Sequence, residues 1–220
     1  NDELDFTGTT TIQNAIAGDQ FINIVDLTVI GDAGLNGTIA TTGNQSYGGD
    51  VGLLGNTTLT ATSGAISLGT GGEVVGATMN ETLTLGDALQ TGDVTLGGAS
   101  EVTLGGLNIG AGAFDLSIEA GDNVAVTINS PVEVLNNGTL TLTSDVSDSS
   151  SVIAFAGGLN ATEPSSIGLA AIVGTDNSSI HLGNVTYTGP AAGEYALAVL
   201  TNRDFLTIGD NFTGGNITME

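Results

Sequence analysis

Ten asparagines open an Asn-x-Ser/Thr triplet: Asn36, Asn44, Asn56, Asn80, Asn137, Asn160, Asn177, Asn184, Asn211 and Asn216. This is the acceptor pattern for N-linked sugar, which decorates the outer surface of exported proteins. The same triplets are also ordinary turn-then-strand grammar. Asp50, Asp87, Asp93 and Asp122 fall in predicted turns, where carboxylates suit a hard cation, and they are the candidate calcium ligands. No repeated Gly-Gly-x-Gly-x-Asp frame accompanies them: "GAGAFDLSI" supplies Asp115 alone, and no EF-hand loop is present. No other cofactor is expected.

Catalysis has little material. The single histidine, His181, sits in "SSIHLGN" on a strand whose alternation turns it toward solvent. There is no cysteine, hence no thiol nucleophile and no disulfide, and no second histidine to complete a triad or a zinc site. Paired carboxylates could serve a glycosidase, but such clefts also use cationic side chains and aromatic platforms. One arginine, Arg203, no lysine and no tryptophan supply neither. "GGLNIGAG" leads into a strand rather than a helix, so it makes no phosphate cradle. The chain is read as no enzyme.

Charge narrows the partners. One basic residue faces 24 acids, for a net charge of −23. Such a chain cannot neutralise phosphates, so nucleic acid is excluded as a partner, and anionic membranes repel it. No run of about 18 apolar residues occurs, so membrane insertion is not expected. Self-repulsion is tolerable in a saline medium or with bound cations. The chain begins with Asn and shows no signal-peptide pattern, which reads as a processed subunit or a piece of a longer protein. The expected location is extracellular, at the cell surface.

The elements that must position these residues are short strands. Thirty-five glycines, 4% aromatics and 11% charged residues accompany abundant Val, Ile, Leu and Thr. That composition favours many short strands over helices. In "ETLTLGD", Leu83 and Leu85 share one face and Thr82 and Thr84 the other. "GDVTLGG" and "SEVTLGG" repeat the scheme with Val94/Leu96 and Val102/Leu104. Strands are read as ending on glycine at Gly55, Gly69, Gly86, Gly97, Gly105, Gly110, Gly183 and Gly209, which suits sharp corners. "GLAAIVG" and "EYALAVL" are the two stretches compatible with either helix or strand.

Short strand, glycine corner, short strand, with self-similarity, predicts an all-β parallel β-solenoid (β-helix), with a β-sandwich as the alternative. Coils of about 20–25 residues give roughly 9–11 coils and a rod on the order of 45–50 Å. Three copies of one phrase within residues 81–106 are too close for three coils and are read as three successive sides of one. Repetition weakens after "SDVSDSSS". Residues 1–145 are therefore taken as the regular solenoid and residues 146–220 as a less regular continuation or cap, in the same or a separate domain.

Residues 37–71 carry Thr42, Gly43, Gln45, Tyr47, Gly49, Val51, Leu53, Thr58 and Leu59 in a "TTG-x-Q-x-Y-x-G-x-V-x-L" string, and Gly92–Gly98 add "GDVTLGG". This phrasing resembles the β-strand repeats of filamentous haemagglutinin-like adhesins, large bacterial surface proteins, over about residues 5–145. The resemblance implies a secreted, rod-like β-helix used in adhesion or filament building, and it carries no catalytic residues. Absence of lysine and a less regular last third depart from many such proteins.

The function expected is a structural or adhesive surface protein, a rod-like segment of an adhesin or a self-assembling fibre. Its partners would be further copies, met end to end or by strand exchange through "NDELDFTGTTTIQNA", or host and matrix ligands. The alternative is a carbohydrate-binding or carbohydrate-acting β-helix. A minor alternative is an ice-binding solenoid, suggested by Thr58/Thr60, Thr82/Thr84 and Thr139/Thr141/Thr143.

Overall fold

Alternation of aliphatic and hydroxyl residues in short runs, broken by glycine, leaves each strand with one apolar face too small to bury alone. Stacking successive strands in parallel removes that face from water. A computed structural model shows this solution and describes residues 3–8, 10–13, 21–135, 140–144, 151–162, 169–173, 179–188, 196–201, 205–208, 212–213 and 216–219. The described residues form strands and turns with no helix. Every strand pairing is parallel, and the fold is a β-solenoid, not a sandwich.

The cross-section has three faces. The first is a sheet of ten strands, running from Glu3–Phe6 and Asp26–Val29 through Gln45–Tyr47, Ile66–Leu68, Val94–Gly98, Leu116–Ala120 and Leu140–Ser144 to Asn216–Met219. The second sheet has 16 strands and wraps the other two faces. Ala33–Thr41 and Val51–Ala61 are long enough to run across both of those faces without a break. Six turns lie between Asp26 and Thr162, and the strands beyond extend the same two sheets. The N-terminal strands Glu3–Phe6 and Thr10–Gln13 pair within these sheets, to Asp26–Val29 and Ala33–Thr41. Both ambiguous stretches contribute strands, Leu169–Val173 and Ala196–Thr201.

The repeated phrase occupies three sides in succession. Thr82–Leu85 lies on the third face, Val94–Gly98 on the first and Val102–Leu104 on the second. Leu27 pairs with Gln45, then Ile66, Val94, Leu116 and Leu140, so successive coils are 18, 21, 28, 22 and 24 residues long. "INIVDLTVIG" reads as one strand but splits into Phe21–Ile24 and Asp26–Val29, because the chain turns a corner at Val25.

Inward residues stack in files. One runs Val29, Tyr47, Leu68, Leu96, Ile118 and Leu142, and another Ile39, Leu59, Leu85, Ile109 and Val134. All of these are buried. Burying each large aliphatic side chain contributes about 1.5–3 kcal/mol. Gly55 and Gly97 lie inside strands rather than after them.

Glycine is required where coils touch at corners. At one corner Gly31, Gly49 and Gly72 stack. A Cβ on Gly49 would stand 2.6 Å from the Gly31 carbonyl carbon, and one on Gly72 would collide with the Gly49 backbone. At another, a Cβ on Gly64 would collide with Gly43, and one on Gly92 with Gly64.

Two buried glutamines complete the core where third-face strands end with backbone groups facing inward. Gln45 Nε2 donates to the Thr60 carbonyl at 2.7 Å and the Ile39 carbonyl at 3.2 Å, while its Oε1 accepts the Tyr47 hydroxyl at 3.1 Å. Gln90 Oε1 accepts the Ala61 N–H at 2.6 Å, and its Nε2 donates to the Gly64 and Gly92 carbonyls at 2.9 and 2.7 Å. Burial pushes the Tyr47 phenol far above its ordinary range, so it remains a neutral donor.

Candidate functional surface

Outward residues stack as strictly as inward ones. First-face strands repeat a phrase of apolar, hydroxyl, apolar: Leu27-Thr28-Val29, Ile66-Ser67-Leu68, Val94-Thr95-Leu96, Leu116-Ser117-Ile118, Leu140-Thr141-Leu142, with Gln45-Ser46-Tyr47 as the variant. The register pairs Thr28, Ser46, Ser67, Thr95, Ser117 and Thr141 in order, so six hydroxyls stand in one file over six consecutive turns. Their spacing is the inter-strand distance, about 4.8 Å.

Acidic and amide residues form two further columns at corners. Preceding the first face come Asp26, Asn44, Ala65, Asp93 and Asp115. Asp26 Oδ1 accepts the Asn44 N–H at 2.7 Å, Asn44 Oδ1 the Ala65 N–H at 2.9 Å, and Asp93 Oδ1 the Asp115 N–H at 3.3 Å. Preceding the second face come Asp32, Asp50, Glu73 and Glu101, all exposed. Asp32 Oδ1 accepts the Asp50 N–H at 3.2 Å and Asp50 Oδ1 the Glu73 N–H at 3.0 Å. Asp26, Asn44, Asp93, Asp32 and Asp50 thus each stitch one coil to the next through a corner N–H.

The candidate calcium ligands are dispersed by this geometry. Asp50 and Asp122 lie at the corner between first and second faces, three coils apart, whereas Asp87 and Asp93 lie between the third and first. Asp87 Oδ1 accepts the Leu89 N–H at 2.8 Å within its own loop. Asp122 belongs to a tight turn in which Asn123 takes φ 57°. Among the described residues no three acidic or histidine side chains gather as a metal site. His181 is exposed on the second face, in register with Ala154 and Thr207.

The asparagine triplets separate by environment. Asn44, Asn56, Asn80 and Asn184 are exposed, and Asn36 and Asn160 are half-buried. Asn56 Oδ1 accepts the Thr82 N–H of the next coil at 3.0 Å. Asn80 Nδ2 donates to the Thr78 carbonyl at 3.1 Å, and Asn160 Nδ2 to Glu133 Oε1 at 2.8 Å. Asn216 begins the strand Asn216–Met219. Asn137, Asn177 and Asn211 lie outside the described residues, as do positions 145–150, "DVSDSS".

The threonine pairs do not align as a double rank. On the third face Thr38 stacks on Thr58, and Thr58 on Thr84, so Thr60 and Thr82 fall out of step. Asn108, Glu133 and Asn160 continue that file. Thr141 and Thr143 lie on the first face, and Thr139 is outside the described residues.

The 28-residue coil interrupts the pattern with a loop closed by Glu81, which is 8% exposed. Its carboxylate accepts the Thr78 hydroxyl at 2.6 Å, the Thr78 N–H at 3.0 Å and the Asn80 N–H at 3.3 Å, around Met79 at φ 61°. The Thr78 hydroxyl, then the backbone donors, hold its pKa below the ordinary value of 4.5.

Outward ladders of Thr, Ser and Asn are expected of stacked coils, but the register of this hydroxyl file and the buried roles of Gln45, Gln90 and Glu81 are what sequence reading missed. The signal for the file was present as Asp/Asn-apolar-hydroxyl-apolar. Coils of unequal length and the variants at Gln45 and Ala65 hide its period. No family model, curated protein or solved structure matches the chain.

Proposed function

We propose that this chain is the rod-forming segment of an extracellular adhesive or structural surface protein, without catalytic activity of its own. One observation carries the reading: a parallel register stacks ten first-face strands and, from Asp26–Val29 to Leu140–Ser144, aligns outward side chains in a file. Such a body presents a long surface of neutral hydroxyls edged by carboxylates, suited to spacing and displaying rather than to enclosing a substrate. Its partners are further copies of the rod or ligands of a matrix or cell surface.

A sugar-binding solenoid would need aromatic platforms, and of the described aromatic side chains Tyr47, Phe114 and Phe155 are spent in the core and Phe6 packs against it. The hydroxyl file of the first face is the observation that favours a surface for an ordered lattice, ice included. Measured thermal hysteresis at millimolar chain would establish that reading, and its absence removes it.

The test of the main reading combines microscopy and adhesion. Negative staining of the purified chain is expected to show thin rods or filaments. Beads coated with it are expected to bind cells or matrix above an equally acidic, non-solenoid control. Compact particles, or binding no greater than the control, would overturn the reading.

A further inference from the structure

The structure divides the asparagine triplets into those the fold can present and those it cannot. A glycan on Asn replaces one Nδ2 hydrogen and leaves Oδ1 as an acceptor. An asparagine that contributes to the fold through Oδ1 alone therefore keeps its bond when glycosylated. One that donates through Nδ2 retains a single hydrogen for its partners and must seat the sugar beside them, so it is committed in the folded chain.

Asn44 and Asn56 meet the first condition. Both are exposed corner residues. Each Oδ1 is fixed by a backbone N–H of the next coil, Ala65 for Asn44 and Thr82 for Asn56. Their triplet hydroxyls, Ser46 and Thr58, stand on the outward files of the first and third faces. Asn160 fails, because it is half-buried and its Nδ2 is held by Glu133. Asn80 fails because its Nδ2 ties the Glu81 loop through the Thr78 carbonyl. Asn36 fails because its side chain packs against Gly55, where even a Cβ would collide with the Asn36 amide.

We propose that Asn44 and Asn56 are N-glycan acceptors of the folded rod, at two of its corners. The donor is an activated sugar, a glycosyl diphosphate. The bond between sugar C1 and the diphosphate oxygen breaks, the Nδ2–C1 bond forms, and the Nδ2 proton leaves with the diphosphate through the transferase's base. Glycans there project from the edges and leave the first-face hydroxyl file uncovered. The proposal rests on the surface reading above, since sugar transfer of this kind accompanies export.

The full chain is recovered from the producing cells, fractionated into exterior and interior, and its peptides are sequenced by electron-transfer fragmentation. Sugar on Asn44 and Asn56 in the exterior fraction, with Asn36, Asn80 and Asn160 bare, is the expected result. Exterior protein with bare Asn44 and Asn56 overturns the glycan proposal and leaves the surface reading standing. A chain found only inside the cell overturns the surface reading instead. A second experiment offers folded and denatured chain to a purified Asn-x-Ser/Thr transferase with its nucleotide-sugar donor. Folded chain is expected to be modified at Asn44 and Asn56, and denatured chain at Asn36 and Asn160 as well. Modification of the folded chain at Asn36 or Asn160 counts against the proposal. Ser46→Ala and Thr58→Ala keep each asparagine and its inter-coil bond, so they are expected to abolish sugar at Asn44 and Asn56 while the rod still folds.

Discussion

Single polar side chains decide how this solenoid closes its irregular places. Gln90 satisfies one buried N–H and two carbonyls at once. Gln90→Leu removes all three partners and leaves the Ala61 N–H unpaired in the core. An unpaired buried donor costs about 1–3 kcal/mol, so a clear fall in Tm is expected by calorimetry. Glu81 supplies a pH dependence. Its carboxylate, drawn down chiefly by the Thr78 hydroxyl, has a folded pKa below the unfolded value near 4.5. Loop stability from this group is therefore complete above that value and drains away as pH falls through the folded pKa. Thr78→Val raises the folded pKa, so Tm of the variant should converge on that of the parent at low pH and separate above pH 5, roughly. Parallel Tm curves across that range would contradict the assignment. Neither role was legible in the sequence, because a glutamine or glutamate in a turn reads as a solvated residue until the neighbouring coil is in place.

Strands and corners follow two different rules. The strands obey alternation, and the sequence shows them plainly: Leu83/Leu85, Val94/Leu96 and Val102/Leu104 are buried, while their threonines face out. Corners obey contact between coils. Gly64→Ala drives a Cβ into the Gly43 backbone, whereas the nearest atom to a Cβ on Gly52 is the Ala33 carbonyl oxygen at 4.0 Å. Gly64→Ala is expected to cost about 1–3 kcal/mol or more, since backbone rather than a pliant side chain must move. Gly52→Ala should stay within about 0.5 kcal/mol of the parent. Urea unfolding of the two variants side by side makes the comparison, and equal midpoints would refute the glycine-column argument. Gly52 lies inside a strand and Gly64 in a turn, but what a Cβ on either would meet is set by the neighbouring coil, which the sequence alone does not place.

The whole rod carries one sign of charge, and its stacking concentrates that charge. Asp32, Asp50, Glu73 and Glu101 are distant in sequence yet occupy adjacent rungs at one corner. Carboxylates one strand spacing apart, about 4.8 Å, repel each other in water and are screened by salt. Tm should therefore rise with NaCl between low and physiological ionic strength, and Asp50→Asn should rise less with added salt than the parent. A salt-independent Tm would show that the column is not under electrostatic strain. Calcium would act on the same columns only by screening if no specific site exists. The Tm gain at equal ionic strength from calcium and from magnesium separates the two cases.

Composition and alternation were enough to establish an all-β chain of stacked short strands, because burial of one aliphatic face is a local property with a period of two. They were enough, too, to see that three near-copies in residues 81–106 are three sides of a coil. Which residues become neighbours across coils was not legible. Register joins residues 18 to 28 positions apart with no constant period, since corner loops lengthen some coils and not others. Pairing of strands in space therefore created the hydroxyl file, the acidic columns and the division of the asparagines into presentable and committed, from residues that look alike along the chain.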